Sequence, residues 1–268
     1  MIDVQFRKIG IANLNTPILI EGFPGLGLVG TLATGYLIKK FNMELVGYIY
    51  SNKFPAVSAV HESVPLPPVR IYASEKHDLL VLISEFVIPS AVVPYVGEGL
   101  IEYAKRKNVK LVLSLGSIAL DTNYEKLEEK KNDKNENPEE VIYAIANSQK
   151  HRILLSKLQR IKLIKEGATS GVSAYLLVEG TYANLPVMSL LAPTSSRTLD
   201  IVATIRILDA VSRITGLNID LEELKEDAIK VEQTIKTIIK NAKKAHLEYK
   251  KVDQQNNFRS DSLDNMYG

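Results

Sequence analysis

The chain has 268 residues, of which 46% are hydrophobic and 24% charged, and 33 Lys and Arg against 31 Asp and Glu leave a formal net charge of +2. This composition is typical of a globular domain with one substantial core, and the interleaved charges argue against nucleic-acid binding. The absence of cysteine excludes disulfides and thiolate chemistry, and without a signal-like start or an apolar run of about 20 residues the sequence predicts a cytoplasmic protein with no membrane partner.

The first predicted element is a buried strand at residues 16–21, which leads directly into a glycine-rich turn. Gly25, Gly27 and Gly30 spell G-x-G-x-x-G at the start of a helix predicted for residues 26–41. In dinucleotide-binding proteins such a turn holds the pyrophosphate at the helix N-terminus. The same glycines also serve a turn with positive φ or a close approach of helix to sheet without any ligand, and this is the favoured interpretation.

The strand predicted next, at residues 44–50, does not complete the dinucleotide pattern. An acidic residue that binds the ribose hydroxyls is expected at its end, but the strand ends at Tyr50 and continues into Ser51 and Asn52. We therefore expect no dinucleotide and no other cofactor.

Strands and helices alternate through the rest of the chain. The pattern predicts a hairpin at residues 68–85, a helix at 91–107, a strand at 109–115 and a charged solvated insertion at 122–137. A helix opened by Pro138 follows at residues 138–148, and then a second glycine-rich turn (GATSG) at 167–171. The last predicted elements of this part are a helix at residues 172–182, a strand at 187–192 and a helix at 197–215 that Gly216 stops. This order predicts an α/β domain over residues 1–219, with helices on both faces of a mixed, mostly parallel sheet.

Few residues follow the pattern of an active site. The four histidines lack metal-ligand spacing, and the sequence contains neither a nucleophile elbow nor a phosphate-binding P-loop. Ser170 and Thr169 in the second glycine turn, and Glu85 at a strand end, are candidates to line a small-molecule crevice beside the first glycine turn. The sequence predicts no catalytic residue and no metal site.

The last fifty residues change character twice. Apolar residues at heptad spacing from Leu221 to Tyr249 predict an amphipathic helix at residues 220–249, which needs a partner surface and so indicates a homo-oligomer. Residues 250–265 are polar and without periodicity, so residues 250–268 are predicted to form a flexible tail. The chain ends on Met266, Tyr267 and Gly268.

This ending has a distinct chemistry, because a free carboxylate follows an aromatic ring. Proteins capture such termini with lysines or backbone amides while a pocket takes the neighbouring side chain. Met266, Tyr267 and Gly268 resemble the hydrophobic-Tyr-any residue motif with which proteasome activators and assembly chaperones dock between the α subunits of the proteasome core particle.

Four segments occur in a characteristic order: EGFPGLGLVG, GATSGVSAYLL, LPVMSLLAPT and TIRILDAVSRITGLNIDLEEL. Together they resemble the proteasome assembly chaperone family in its archaeal form, over residues 18–224. The resemblance implies a nucleoside-phosphorylase-like three-layer α/β sandwich, homo-oligomers, no catalysis, and docking of Met266, Tyr267 and Gly268 on the α subunits of the proteasome core particle.

Three functional hypotheses follow. The first is an ATP-independent proteasome assembly chaperone or activator. The second is a nucleoside-phosphorylase-like or dinucleotide-binding enzyme that uses the turn at residues 25–30. The third is a structural oligomer whose tail is incidental. The first requires only an accessible C-terminus, whereas the second requires titratable groups that converge on the glycine turn.

Overall fold

The computed structural model describes residues 3–119, 140–195 and 199–222. In this part of the chain the strands are β1 Val4–Lys8, β2 Ile18–Gly22, β3 Glu44–Ser51, β4 Ala59–His61, β5 Val64–Leu66, β6 Val69–Ser74, β7 Leu79–Ser84, β8 Leu111–Ala119, β9 Ile142–Ala146, β10 Ile161–Leu163 and β11 Val187–Thr194. The α-helices are α1 Val29–Lys40, α2 Val93–Arg106, α3 Gln149–Ser156, α4 Gly171–Tyr182 and α5 Ile201–Thr215.

Nine of the strands form one mixed sheet in the order β1-β3-β6-β7-β2-β8-β11-β9-β10, and β4 and β5 form a separate hairpin. The central strands β7, β2, β8 and β11 are parallel to one another. Antiparallel pairs flank this centre, with β1, β3 and β6 on one side and β9 on the other. The predicted α/β class with a mixed sheet is confirmed.

Helices cover both faces of the sheet and give three layers. On one face α2 packs against α4, and α4 also packs on β11; on the other face α1 packs against α5 and on β2, β7 and β8. Alternate strand residues therefore enter different cores. Leu19, for example, belongs to the core beneath α2 and α4, together with Val96 and Leu176.

The ends of α5 follow from local chemistry. The Asp200 carboxylate accepts a hydrogen bond from the Ala203 backbone N–H at 2.9 Å, which satisfies one of the free donors of the first turn. Gly216 adopts φ 74° at the other end, and it stops the helix as predicted. The helix starts at Ile201 rather than at residue 197, because Asp200 is the capping residue.

The helix predicted for residues 138–148 is wrong, because this segment contains β9. Ile142, Ala144 and Ala146 are buried, whereas Tyr143 and Ile145 between them are partly exposed. This alternation has the two-residue period of a strand, and pairing with β11 outweighs the helix propensity of the alanines. A helix instead begins just after Ser148, whose hydroxyl accepts from the His151 N–H.

Other elements were not predicted from the sequence: β1, β10, α3 and the β4–β5 hairpin. The predicted insertion at residues 122–137 lies outside the described residues.

The chain divides into a unit of Met1–Leu221 and a second unit of Glu222–Gly268. Of the predicted helix at residues 220–249, only residues 220–222 are described. The predicted tail at residues 250–268 lies outside the described residues. Within the helices that the structure describes, none is long and apolar enough to cross a membrane.

Candidate functional site

The first glycine turn lies where β2 ends, at the carboxyl edge of the parallel strands. Gly25 is extended, and a single 3₁₀ turn at Leu26–Leu28 separates it from the start of α1 at Val29. Gly27 has φ 67°, a conformation that costs little only for glycine. The predicted strand–turn–helix is therefore present.

Other side chains fill the space around Gly27. A Cβ added there would lie 3.0 Å from the Asp200 Cβ and 3.1 Å from the Thr194 hydroxyl oxygen. The Asp200 N–H donates to the Gly27 carbonyl at 2.9 Å, and the Thr194 hydroxyl donates to the Asp200 carboxylate at 2.5 Å. These contacts fasten the start of α5 to the turn, and they place a carboxylate where a pyrophosphate would need a neutral or positive neighbour.

Gly30 has a packing role of its own. A Cβ on Gly30 would overlap the Leu115 carbonyl oxygen and lie 3.2 Å from the Gly22 Cα, and a Cβ on Gly22 would overlap the Gly30 carbonyl. The first turn of α1 thus rests directly on β2 and β8. Positive φ at Gly27 and close packing at Gly30 account for these two glycines of the motif without a ligand.

Ser170 lies in the other helical layer. It precedes α4, its side chain makes no capping hydrogen bond, and it is exposed, as are its neighbours in the GATSG turn. Because α4 and α1 pack on opposite faces of the sheet, the structure does not bring Ser170 together with Gly25, Gly27 and Gly30 on one face. One turn into α4, Ser173 donates to the Ser189 hydroxyl of β11 at 3.1 Å.

A buried acid near the turn escaped the sequence analysis. The Glu21 side chain is 1% exposed, and its Oε1 has no hydrogen-bond partner in the described part of the chain. Burial raises the pKa of Glu21 to about 7, although hydrogen bonds from the Ser114 hydroxyl and the Phe23 backbone oppose this shift. The signal in the sequence was a lone glutamate inside the apolar run that forms β2.

Glu85 belongs to a charged cluster beyond the end of β7. Its carboxylate pairs with the buried Arg70 guanidinium and lies 2.7 Å from His61 Nε2 on the β4–β5 hairpin. Arg70 also donates to the Pro67 carbonyl at 2.7 Å and to the Tyr72 hydroxyl at 3.0 Å. Such a network fixes the hairpin to the sheet and compensates the buried charge of Arg70.

The predicted docking residues Met266, Tyr267 and Gly268 lie outside the described residues. The first unit ends close to Asp220, whose carbonyl accepts a hydrogen bond from the Tyr36 hydroxyl of α1 at 2.8 Å. Across residues 3–119, 140–195 and 199–222, no group of three His, Asp or Glu side chains is arranged to hold a metal ion.

Comparison with known proteins identifies relatives along nearly the whole chain. The family model described as the PAC2 family matches residues 19–239. The uncharacterised protein MJ0106 of Methanocaldococcus jannaschii is 26% identical over 254 residues, which are 93% of this chain and 98% of that protein.

Two solved structures from Pyrococcus furiosus share the fold. PbaA, described as an archaeal homolog of proteasome-assembly chaperone, has a TM-score of 0.73 and 26% identity, covering 92% of this chain and 96% of its own. PbaB, described as an archaeal proteasome activator, has a TM-score of 0.69 and 22% identity, covering 88% and 98%. The three-layer arrangement described above is the one found in these crystal structures.

Proposed function

The chain belongs to the PAC2 family, and we propose that it is a cytoplasmic, ATP-independent proteasome assembly chaperone or activator. In this proposal Met266, Tyr267 and Gly268 dock into pockets between the α subunits of the proteasome core particle. The protein acts by binding alone, without a catalytic step.

One observation supports this proposal more than any other. PbaA, an archaeal homolog of proteasome-assembly chaperone, resembles this chain in sequence as well as in fold, and the similarity covers 92% of this chain. The similarity therefore extends beyond the sheet and helices that many unrelated α/β proteins share.

The chemistry of the last three residues supports the docking step. The Gly268 carboxylate is an anion without a side chain beside it, and Tyr267 supplies a flat apolar ring with a hydroxyl at its tip. A pocket that pairs a lysine with the carboxylate and encloses the ring would recognise both features. Residues 250–265 are polar, so they suit a flexible connection between this ending and the folded domain.

A single ending of this size binds weakly, because few atoms make contact and a flexible peptide must become ordered. We propose that the chain forms a homo-oligomer that presents several endings at once. Later docking events then become intramolecular, with effective concentrations near the millimolar range, provided that the tails span the distance between pockets.

The test uses purified proteasome core particles and two forms of the protein, the full chain and a chain that lacks residues 266–268. We expect the full chain to be retained by immobilised core particles and the shortened chain to be lost. Equal retention of both would refute docking through the C-terminus. Peptide hydrolysis by mature core particles, compared with assembly of isolated α subunits, separates an activator from an assembly chaperone.

The enzyme hypothesis receives less support. It depends on the glycine pattern at residues 25–30, and packing against Thr194, Asp200 and Leu115 accounts for Gly27 and Gly30 of that pattern. Calorimetry with NAD or NADP tests it directly, and micromolar binding abolished by Gly27→Val would restore it.

A further inference from the structure

The helix α4 differs in composition from the long helices α2 and α5. Its sequence, GVSAYLLVEGTY, contains one charged residue, Glu179, and apolar residues occupy all sides. By contrast, the outer faces of α2 and α5 carry charged side chains, such as Glu102 and Arg213. A helix that is apolar on all sides is typically covered on all sides.

The outer face of α4 is nevertheless open. Val178 is 55% exposed and Tyr182, one turn further on, is 80% exposed. Beside them a groove of about 290 Å³ runs between α4 and β9. Its lining consists of Ile145, Asn147, Leu177, Val178, Thr181 and Tyr182.

Two polar side chains that line the groove, Asn147 and Thr181, already make hydrogen bonds within the fold. The Asn147 amide donates to the Leu185 carbonyl at 2.9 Å and accepts from the Val187 N–H at 2.9 Å. The Thr181 hydroxyl donates to the Leu177 carbonyl at 2.8 Å. Because these two side chains bond within the domain and the rest of the lining is mainly apolar, the groove favours an apolar or aromatic occupant over a polar ligand.

We propose that a second copy of this chain covers this surface, with Tyr182 of each copy entering the groove of the other. The projecting ring and the groove lie side by side on one surface, so a two-fold axis between two copies satisfies both at once. Tyrosine is among the residues that most often anchor protein interfaces, because it buries a large ring while its hydroxyl keeps contact with water.

The charges at the rim agree with this arrangement. On the helix side is Glu179, which follows Val178 in α4 and, with Glu98 of α2, acts on Tyr175 and contributes, after burial, to raising its pKa. On the strand side is Arg152, whose guanidinium donates to the carbonyls of Ala146 and Asn147 at 3.1 and 3.2 Å. A two-fold axis that runs between the two sides places the acidic side of each copy opposite the basic side of the other.

Two matched valine variants test the proposal in the full chain. Val178→Asp introduces a charge into the lining of the groove, and Val202→Asp introduces the same charge on α5, where the valine is 58% exposed. We expect sedimentation velocity to show at least a tenfold weaker association for Val178→Asp and no change for Val202→Asp. Unchanged association of Val178→Asp, or equal loss in both variants, would refute the proposal.

A cross-linking experiment tests the same contact between two copies without reducing their association. The chain has no cysteine, so a single introduced thiol reports on one position. Thr181→Cys places the thiol on the groove and Val202→Cys places it on α5. Oxidation should give a disulfide-linked dimer for the first and only monomer for the second; equal cross-linking of the two would contradict the proposal.

The surface is distinct from the proposed docking residues, and the two proposals can fail separately. A chain without residues 266–268 should keep its association, whereas Val178→Asp should lose it. If Val178→Asp disturbs folding, as judged by thermal unfolding, Tyr182→Ala and the cross-link decide the question. Tyr182→Ala removes an exposed ring, so it should weaken association without changing the unfolding midpoint.

Discussion

Gly30 of α1 rests on Gly22 of β2 so closely that a Cβ on Gly30 would lie 3.2 Å from the Gly22 Cα and would overlap the Leu115 carbonyl. This contact sets the distance between the helical layer and the centre of the sheet. It also gives the third glycine of the G-x-G-x-x-G pattern a purpose that requires no ligand.

The first prediction compares two glycines of the same helix. Gly30→Ala should destabilise the protein by about 2 kcal/mol or more, because neither backbone can move aside without disturbing the sheet. Gly35→Ala is the control: its Cβ would lie 3.6 Å from the Ile83 Cδ1, an ordinary contact. The control should be neutral or stabilising by up to about 1 kcal/mol. Denaturant unfolding measures both, and equal effects would contradict the packing role of Gly30.

The second prediction concerns the pH dependence of stability. The folded protein keeps the Glu21 proton up to about pH 7, whereas the unfolded chain loses it near 4.5, the ordinary pKa of a glutamate side chain. Stability from this group is therefore complete below pH 4.5 and falls as the pH rises to 7, by about 3 kcal/mol. Glu21→Gln cannot ionise, so it should remove this fall.

The measurement is the free energy of unfolding from about pH 3.5 to about pH 8 for the wild type and for Glu21→Gln, a range that spans both pKa values. Relative to the wild type, the variant should gain stability as the pH rises. Glu44→Gln, at an exposed position of β3, serves as the control and should keep the wild-type profile. Parallel profiles for Glu21→Gln and the wild type would show that the buried carboxyl does not titrate in this range.

The third prediction contrasts a buried ion pair with an exposed one. The Arg70 side chain is almost fully buried and pairs with Glu85, so Glu85→Ala leaves a buried charge without its partner and should cost about 3 kcal/mol. Arg213 and Asp209 are one helical turn apart at the surface of α5, and their Nη2 and Oδ2 atoms lie 2.8 Å from each other. Asp209→Ala should cost no more than about 0.5 kcal/mol. Thermal unfolding measures the loss of stability in Glu85→Ala and in Asp209→Ala. Equal losses in the two variants would contradict the role of the buried pair.

The sequence predicted the centre of the fold better than its margins. Continuous apolar runs gave β2, β7, β8 and β11, because strands covered on both faces need apolar residues throughout. Edge strands lack that signal. β1 alternates apolar and polar residues, and β10 is only three residues long. β9, which lies next to the edge strand β10, carries alanines that also suit a helix.

The candidate sites show the same division. Gly25, Gly27 and Gly30 are visible as a motif, but whether they hold a ligand depends on Asp200 and Thr194, which come together with them only in the folded chain. The burial of Glu21 and of Arg70 depends on neighbouring strands and on the helices above them. The local pattern offers only a weak signal for Glu21, its place in an apolar run, and none that distinguishes Arg70 from an exposed charge.

The central claim is that the last three residues dock the protein on the proteasome core particle, and one titration tests it most directly. Binding of purified core particles is measured for the wild type, for Tyr267→Ala and for Phe258→Ala, which removes another aromatic ring from the predicted tail. We expect Tyr267→Ala to lose detectable binding at unchanged oligomeric state and unfolding midpoint, and Phe258→Ala to bind as the wild type does. Wild-type affinity in Tyr267→Ala would contradict the claim and would move the search for the docking element to the surface of the folded domain.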